Sequence, residues 1–341
     1  MSTLVSQTLP WHQDAWDAIT GQIDSNQLHH AYLLCAPPDT GKRHFATLLA
    51  HRLLCRSPLQ GVACGTCSAC QWNAVGNHPD LLIITPVEKS KVIRVEQIRD
   101  LKKYIETSSH AFGRRIVILD TAENLNASSA NALLKSLEEP PENVLFLVLS
   151  DRPRSVLATI SSRCLTLKLP SPPQNQALTW LQSQLPEVPR EELGFALDFA
   201  QGRPYAALAL LQQGEESEAV QLNDALLMIL SRKEIVSKVA ARYYKTHAAE
   251  LLDTLAYWLS SLAKYRVSGS RHYLKGSALQ QAEAVLLASH RDQGPAPRAL
   301  LALYEQVIDA RTQLASVSNP NLQLMLEDLL LQLQALNAVR T

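Results

Sequence analysis

Apolar residues fall into two regimes along this chain. Through about residue 170, short apolar runs alternate with stretches at helical spacing; beyond it only helical spacing continues. The runs are Ala31–Cys35, Leu81–Ile84, Ile116–Leu119, Val144–Leu149 and Leu165–Leu169. Between them Lys42–Leu54, Val95–Ile105 and Ala130–Leu137 read as helices, with Val95, Ile98, Leu101 and Ile105 on one face. The third stops at Glu138-Glu139-Pro140-Pro141, because proline offers no amide and clashes with the preceding turn. Apolar runs that do not alternate with polar residues predict strands buried on both faces. Strands separated by helices predict a parallel sheet with a helix layer on each side.

Pro170-Ser171-Pro172-Pro173 breaks this pattern. Residues 174 to about 210 read as a small helical unit closing on Gln201-Gly202-Arg203-Pro204. From about 215 the chain is helical to its end, with breaks near Ser268-Gly269, Gln293-Gly294-Pro295 and Asn319-Pro320-Asn321. The last segment places Leu322, Leu326, Leu329, Leu333 and Leu336 on one broad stripe, either internal core or a surface for partner helices.

The length, 341 residues, exceeds what one core serves, so two or three domains are expected. A composition 46% hydrophobic and 19% charged is that of a globular chain. The net charge of zero excludes bulk attraction to nucleic acid, leaving local or indirect contact. No run approaches the roughly 18 apolar residues of a membrane span, and no basic-then-apolar signal pattern opens the chain. A cytoplasmic protein is the expectation.

The turn after the first run is Ala36-Pro37-Pro38-Asp39-Thr40-Gly41-Lys42-Arg43. A working phosphate loop reads G-x-x-x-x-G-K-[ST]: amides cradle phosphates, the lysine meets the terminal ones, and the hydroxyl holds magnesium. Gly41 and Lys42 remain, but Ala36 replaces the first glycine, Arg43 replaces the hydroxyl, and Pro38 removes an amide. The third run ends in Asp120, where a magnesium-supporting acid belongs in such ATPases. The following Thr121 cannot polarise water as a carboxylate would, and Glu123 lies two residues too far along. By itself Asp120 also fits a plain strand terminus.

Cys55, Cys64, Cys67 and Cys70 are spaced C-x8-C-x2-C-x2-C. Four thiolates at short spacing suit a tetrahedral zinc with no open position, a structural site. An iron–sulfur centre is the competing reading, and His78 reads as an ordinary loop histidine. Cys35 and Cys164 stand alone in apolar surroundings. Ser162-Arg163-Cys164 follows a short helical stretch, and an arginine there alone would be a solvated side chain or a weak surface ion pair.

Taken together, these residues resemble the delta-prime family of bacterial DNA polymerase III, clamp-loader AAA+ proteins related to gamma/tau. Asn131–Pro141, Ser162-Arg163-Cys164, the four-cysteine insertion and the Asn321–Glu327 segment carry the resemblance. It implies an AAA+ RecA-like domain over 1–169 with a zinc module at about 55–70, a helical lid over 170–212, and a helical collar over 213–341. In the family the Ser-Arg-Cys arginine reaches across a subunit interface to nucleotide held by gamma/tau, and Arg163 sits there. Such a finger is worth on the order of 10³–10⁵ in rate. Ser150 takes the place of the polar nucleotide sensor, and Tyr205 stands where active relatives carry a lid arginine. Arg203 is offset from that position.

Ala36, Arg43, Thr121 and Tyr205 agree in predicting no ATP hydrolysis in cis and no tight ATP binding at Gly41, Lys42 and Asp120. The resemblance thus implies a stator of the loader that places the sliding clamp on primed DNA. It belongs to a DNA-directed DNA polymerase (nucleotidyltransferase) holoenzyme without polymerase activity of its own. Its partners would be gamma/tau and delta in a hetero-oligomeric ring, the clamp weakly, and DNA mostly through the complex. Two other readings remain: an autonomous gamma-like ATPase, and a zinc-dependent DNA-binding module, disfavoured by zero net charge.

Overall fold

A computed structural model describes residues 7–87, 92–106, 113–213, 218–274, 277–289, 295–314 and 321–337. The expected breaks at Gln293-Gly294 and Asn319-Pro320 lie outside the described residues. Contacts divide the chain into two units, residues 1–180 with 203–205 and residues 181–202 with 206–341.

The first unit holds strands β1 (Ala31–Cys35), β2 (Leu81–Ile84), β3 (Arg115–Leu119), β4 (Val144–Ser150) and β5 (Leu165–Lys168). They form one sheet in the order β2-β3-β4-β1-β5, every pairing parallel. Its helices are α1 (Gln13–Asp24), α2 (Lys42–Leu54), α3 (Ser68–Ala74), α4 (Val95–Glu106), α5 (Ala127–Glu138) and α6 (Ala158–Ser161), and α7 (Gln174–Gln184) begins in it.

Side chains alternate strictly across this sheet. Leu33, Val117, Leu119, Phe146 and Val148 pack with α4 and α5 residues such as Ile98, Leu101 and Leu133. Tyr32, Leu34, Ile116, Ile118, Leu145 and Leu147 pack on the other face with Ile19, Phe45, Leu48 and Leu49 of α1 and α2. Both sets are apolar because both faces are covered. This is the parallel sheet with a helix layer on each side that the sequence pattern predicts. Burial on both faces holds for β1, β3 and β4; the edge strands differ, with Ile83 40% and Leu165 46% exposed. Each edge strand has one neighbour, so less of it is covered.

The second unit is helical among the described residues: α8 (Arg190–Phe199), α9 (Pro204–Gln213) from Ala206 onward, α10 (Glu218–Leu230), α11 (Val236–Tyr243), α12 (Ala248–Ser268), α13 (Ser277–Ser289), α14 (Pro297–Leu314) and α15 (Leu322–Ala335). Leu255, Trp258, Leu259 and Leu262 of α12 are buried in its core, and Trp258 Nε1 donates to Asn223 Oδ1 at 2.7 Å. On α15, Leu326, Leu329, Leu330 and Leu333 are buried in that same core. The leucine stripe is therefore internal at Leu326, Leu329 and Leu333 and half-buried at its ends, Leu322 and Leu336, while Leu324 and Leu331 face outward.

Candidate functional site

Parallel strands deliver the loops at their carboxyl ends to one rim, where ligands of open α/β sheets bind. Here the loops after β1, β3 and β4 meet around a cleft of about 460 Å³ lined by Gly41, Lys42, Arg43, Asp120, Thr121, Asp151 and Tyr205, among others. Gly41 takes φ +105°, a conformation side chains resist, and a Cβ there would collide with Leu9 Cδ1. The loop is held from beneath by Trp11, whose Nε1 donates to the Thr40 carbonyl at 2.9 Å.

The charged side chains at this cleft face partners within the chain. The buried ammonium of Lys42 is ion-paired with Asp151 and lies 3.4 Å from the Pro37 carbonyl. Arg43, standing where a magnesium hydroxyl belongs, places Nε 3.5 Å from Asp120 Oδ2. Burial raises the Asp120 carboxyl above its usual range, with Arg43 and Lys42 pulling it back. A guanidinium thus supplies the countercharge that a metal supplies in a working site. The Ser150 hydroxyl donates to Glu123 Oε1 at 2.6 Å, and the Arg152 amide donates to the same oxygen at 2.6 Å. Glu123, out of place for activating water, instead secures the end of β4. Tyr205 closes the cleft: its amide donates to the Asp39 carbonyl at 3.1 Å, and its hydroxyl pairs with His44 Nδ1 at 3.0 Å. Arg203 is 4.0 Å from Asp39 Oδ2.

Arg163 lies elsewhere, beside β5, on a second surface cleft of about 480 Å³ that Glu138 also lines. Its NH1 donates to the Thr159 carbonyl at 2.7 Å, and its NH2 is ion-paired with Glu138 at the end of α5.

The four cysteines converge. Their sulfurs lie within 4.8 Å of one another, with Cys55–Cys67 and Cys64–Cys70 at 3.9 Å and Cys67–Cys70 at 3.5 Å. Zinc–sulfur bonds of about 2.3 Å put tetrahedral sulfurs about 3.8 Å apart, so the set fits one ion. These separations are too long for a sulfur–sulfur bond, so no disulfide joins them, and Cys35 and Cys164 are buried and free. The amides of Thr66 and Cys67 hold the Cys64 thiol down to about 5, whereas burial pushes the Cys55 and Cys70 thiols up. His78 is buried, and its Nδ1 accepts from the Asp80 amide at 3.1 Å.

Two residues were missed from sequence. Asp151 had a signal: it follows Ser150, which sits in register with Cys35, so strand order alone would put it beside the phosphate-loop turn. Glu138 lies in the Asn131–Pro141 segment singled out from sequence, but nothing there pairs it with Arg163, 25 residues on.

The family model for "DNA polymerase III, delta subunit" matches residues 11–173, and the one for "DNA polymerase III, delta subunit, C terminal" matches residues 220–335. The chain is similar to DNA polymerase III subunit delta' of Pseudomonas aeruginosa, 35% identical over 95% of this chain and 96% of that protein. It is similar to subunit delta' of Escherichia coli, 30% identical over 95% of both chains. DNA polymerase III subunit tau of Escherichia coli is 31% identical over 66% of this chain and 36% of that protein.

Proposed function

The chain belongs to the delta-prime family of DNA polymerase III clamp-loader subunits, and from that premise we propose that it is the loader's non-hydrolysing stator, which lends Arg163 to the nucleotide site of an adjacent gamma/tau subunit. One observation carries the first half: the home cleft is neutralised by the chain's own Lys42–Asp151 and Arg43–Asp120 pairs and covered by Tyr205. Magnesium-ATP entering it would have to break two ion pairs, with Arg43 in place of the metal-holding hydroxyl and Thr121 in place of the water-orienting carboxylate.

The second half rests on Arg163 lying at a cleft rim, on an arginine's fitness to stabilise a transferring phosphoryl group, and on the kinship with tau. The working assembly is a hetero-oligomeric ring of this chain with gamma/tau and delta, in the cytoplasm, touching the clamp weakly and DNA through the complex. The domains divide as a core to residue 169, a lid to 212 and a collar beyond. One zinc held by Cys55, Cys64, Cys67 and Cys70 orders the surface module.

Two measurements test this. The isolated chain is expected to show no ATP turnover and no tight magnesium-dependent nucleotide binding by calorimetry. Hydrolysis abolished by Lys42→Ala would instead make it an autonomous ATPase. In the reconstituted loader, Arg163→Ala is expected to depress ATP turnover while leaving the fold intact; unchanged turnover removes the trans role.

A further inference from the structure

Arg163 is already engaged within its own chain. NH2 is ion-paired with Glu138, while NH1 donates to the Thr159 carbonyl at 2.7 Å and to the Ser162 hydroxyl at 3.3 Å. A guanidinium has five N–H donors. Three are spent inside the chain, and Nε is buried without a hydrogen-bond partner. One N–H is left for anything outside, whereas strong phosphate recognition uses two parallel bonds.

The lining of this cleft sharpens the point. It consists of His29, His30, Leu137, Glu138, Ser162, Arg163, Cys164 and Leu165, so Arg163 is its one permanent cation and Glu138 its one carboxylate. Burial, together with His29, holds His30 below the ordinary imidazole range, and its Nε2 faces the Leu137 carbonyl at 3.1 Å. No other residue of the cleft can take Glu138's place as the resident anion.

We propose that Glu138 is a built-in counterion that competes with the neighbouring subunit's triphosphate for Arg163, parking the arginine until a nucleotide displaces the carboxylate. The proposal rests on the trans-arginine reading above. The Glu138 and Arg163 side chains are 46% and 31% exposed, so water screens the pair and a more highly charged phosphoryl group can replace it. While Arg163 is parked, the neighbour's apparent affinity for ATP falls by the parked fraction. Glu138 is thus a positioning residue that sets the nucleotide threshold of a site it does not touch.

The test is an ATP titration of steady-state turnover in the reconstituted loader, comparing wild type with Glu138→Gln, Glu138→Asp and Arg163→Ala. Glu138→Gln is expected to lower the half-saturating ATP concentration about two- to fivefold, the span of a half-exposed ion pair, and to leave maximal turnover unchanged. Glu138→Asp retains the charge and is expected to stay near wild type, and melting of each isolated variant checks its fold. An unchanged or raised half-saturating concentration with Glu138→Gln overturns the proposal. So does an equal shift from both Glu138 variants, which would mean packing and not charge. If Arg163→Ala lowers turnover and Glu138→Gln behaves as wild type, only the counterion fails. If Arg163→Ala changes nothing, the trans reading falls and takes the counterion with it.

Discussion

Single side chains set the charge balance of the cleft after β1. Lys42 is buried, so its ammonium must have a partner, and Asp151 provides it. Removing one member of a fully buried pair costs about 3–5 kcal/mol. Because Asp151 is a third exposed, Asp151→Asn is expected to cost about 2 kcal/mol by urea denaturation, without creating ATP turnover. His12, beneath the same loop, offers a pH test. Burial, helped by His44, lowers it from 6.5 to about 4. Between those values the unfolded chain binds a proton that the folded chain refuses. This contribution is therefore complete above about pH 6.5 and shrinks as pH falls toward 4, by up to about 3 kcal/mol. His12 packs edge-on against Phe45 at 5.8 Å, so His12→Phe is expected to keep the packing and flatten the stability profile across that window. Stability curves at several pH values check it.

Elements place these side chains. Helix α5 starts at Asn126, whose side chain accepts from the Ser129 amide at 2.8 Å, and ends at Glu138. Asn126→Ala is expected to cost about 1 kcal/mol in chemical denaturation, by loss of that cap. The four-cysteine module is held differently. Beyond the four cysteines only Ala63 joins the small buried cluster around them, so little apolar burial holds the sulfurs together. Metal analysis is expected to give about one zinc per chain; iron, or folded protein with four free thiols, would contradict the assignment. A chelator is expected to speed proteolytic cutting within residues 55–74 while the circular dichroism of the sheet and helices persists, because metal binding and local folding are one equilibrium.

At the scale of the whole molecule, two units with separate cores predict that no single unfolding transition describes the chain. Leu133 is fully buried between α5 and the sheet, and Leu255 is buried in the helical unit. Leu133→Ala and Leu255→Ala are each expected to cost about 2–5 kcal/mol and to move different transitions in a calorimetric scan. A single transition shifted equally by both variants would show that the cores melt together.

Much of this molecule was legible along the chain because its signals are local. A strand buried on both faces needs an unbroken apolar run, an amphipathic helix needs its stripe, and four thiolates within sixteen residues can close on one ion whatever surrounds them. The same holds for the losses in the phosphate loop, since Ala36 and Arg43 act through which atoms they lack. Tertiary structure alone decided the pairings. Lys42 with Asp151, Arg43 with Asp120, Tyr205 with His44 and Glu138 with Arg163 join residues from 25 to 161 positions apart. The reason is physical: a charge or hydroxyl reports its type in the sequence, but its partner is set by which strand ends are neighbours in the sheet. That order, with β4 beside β1, exists only after the chain has folded.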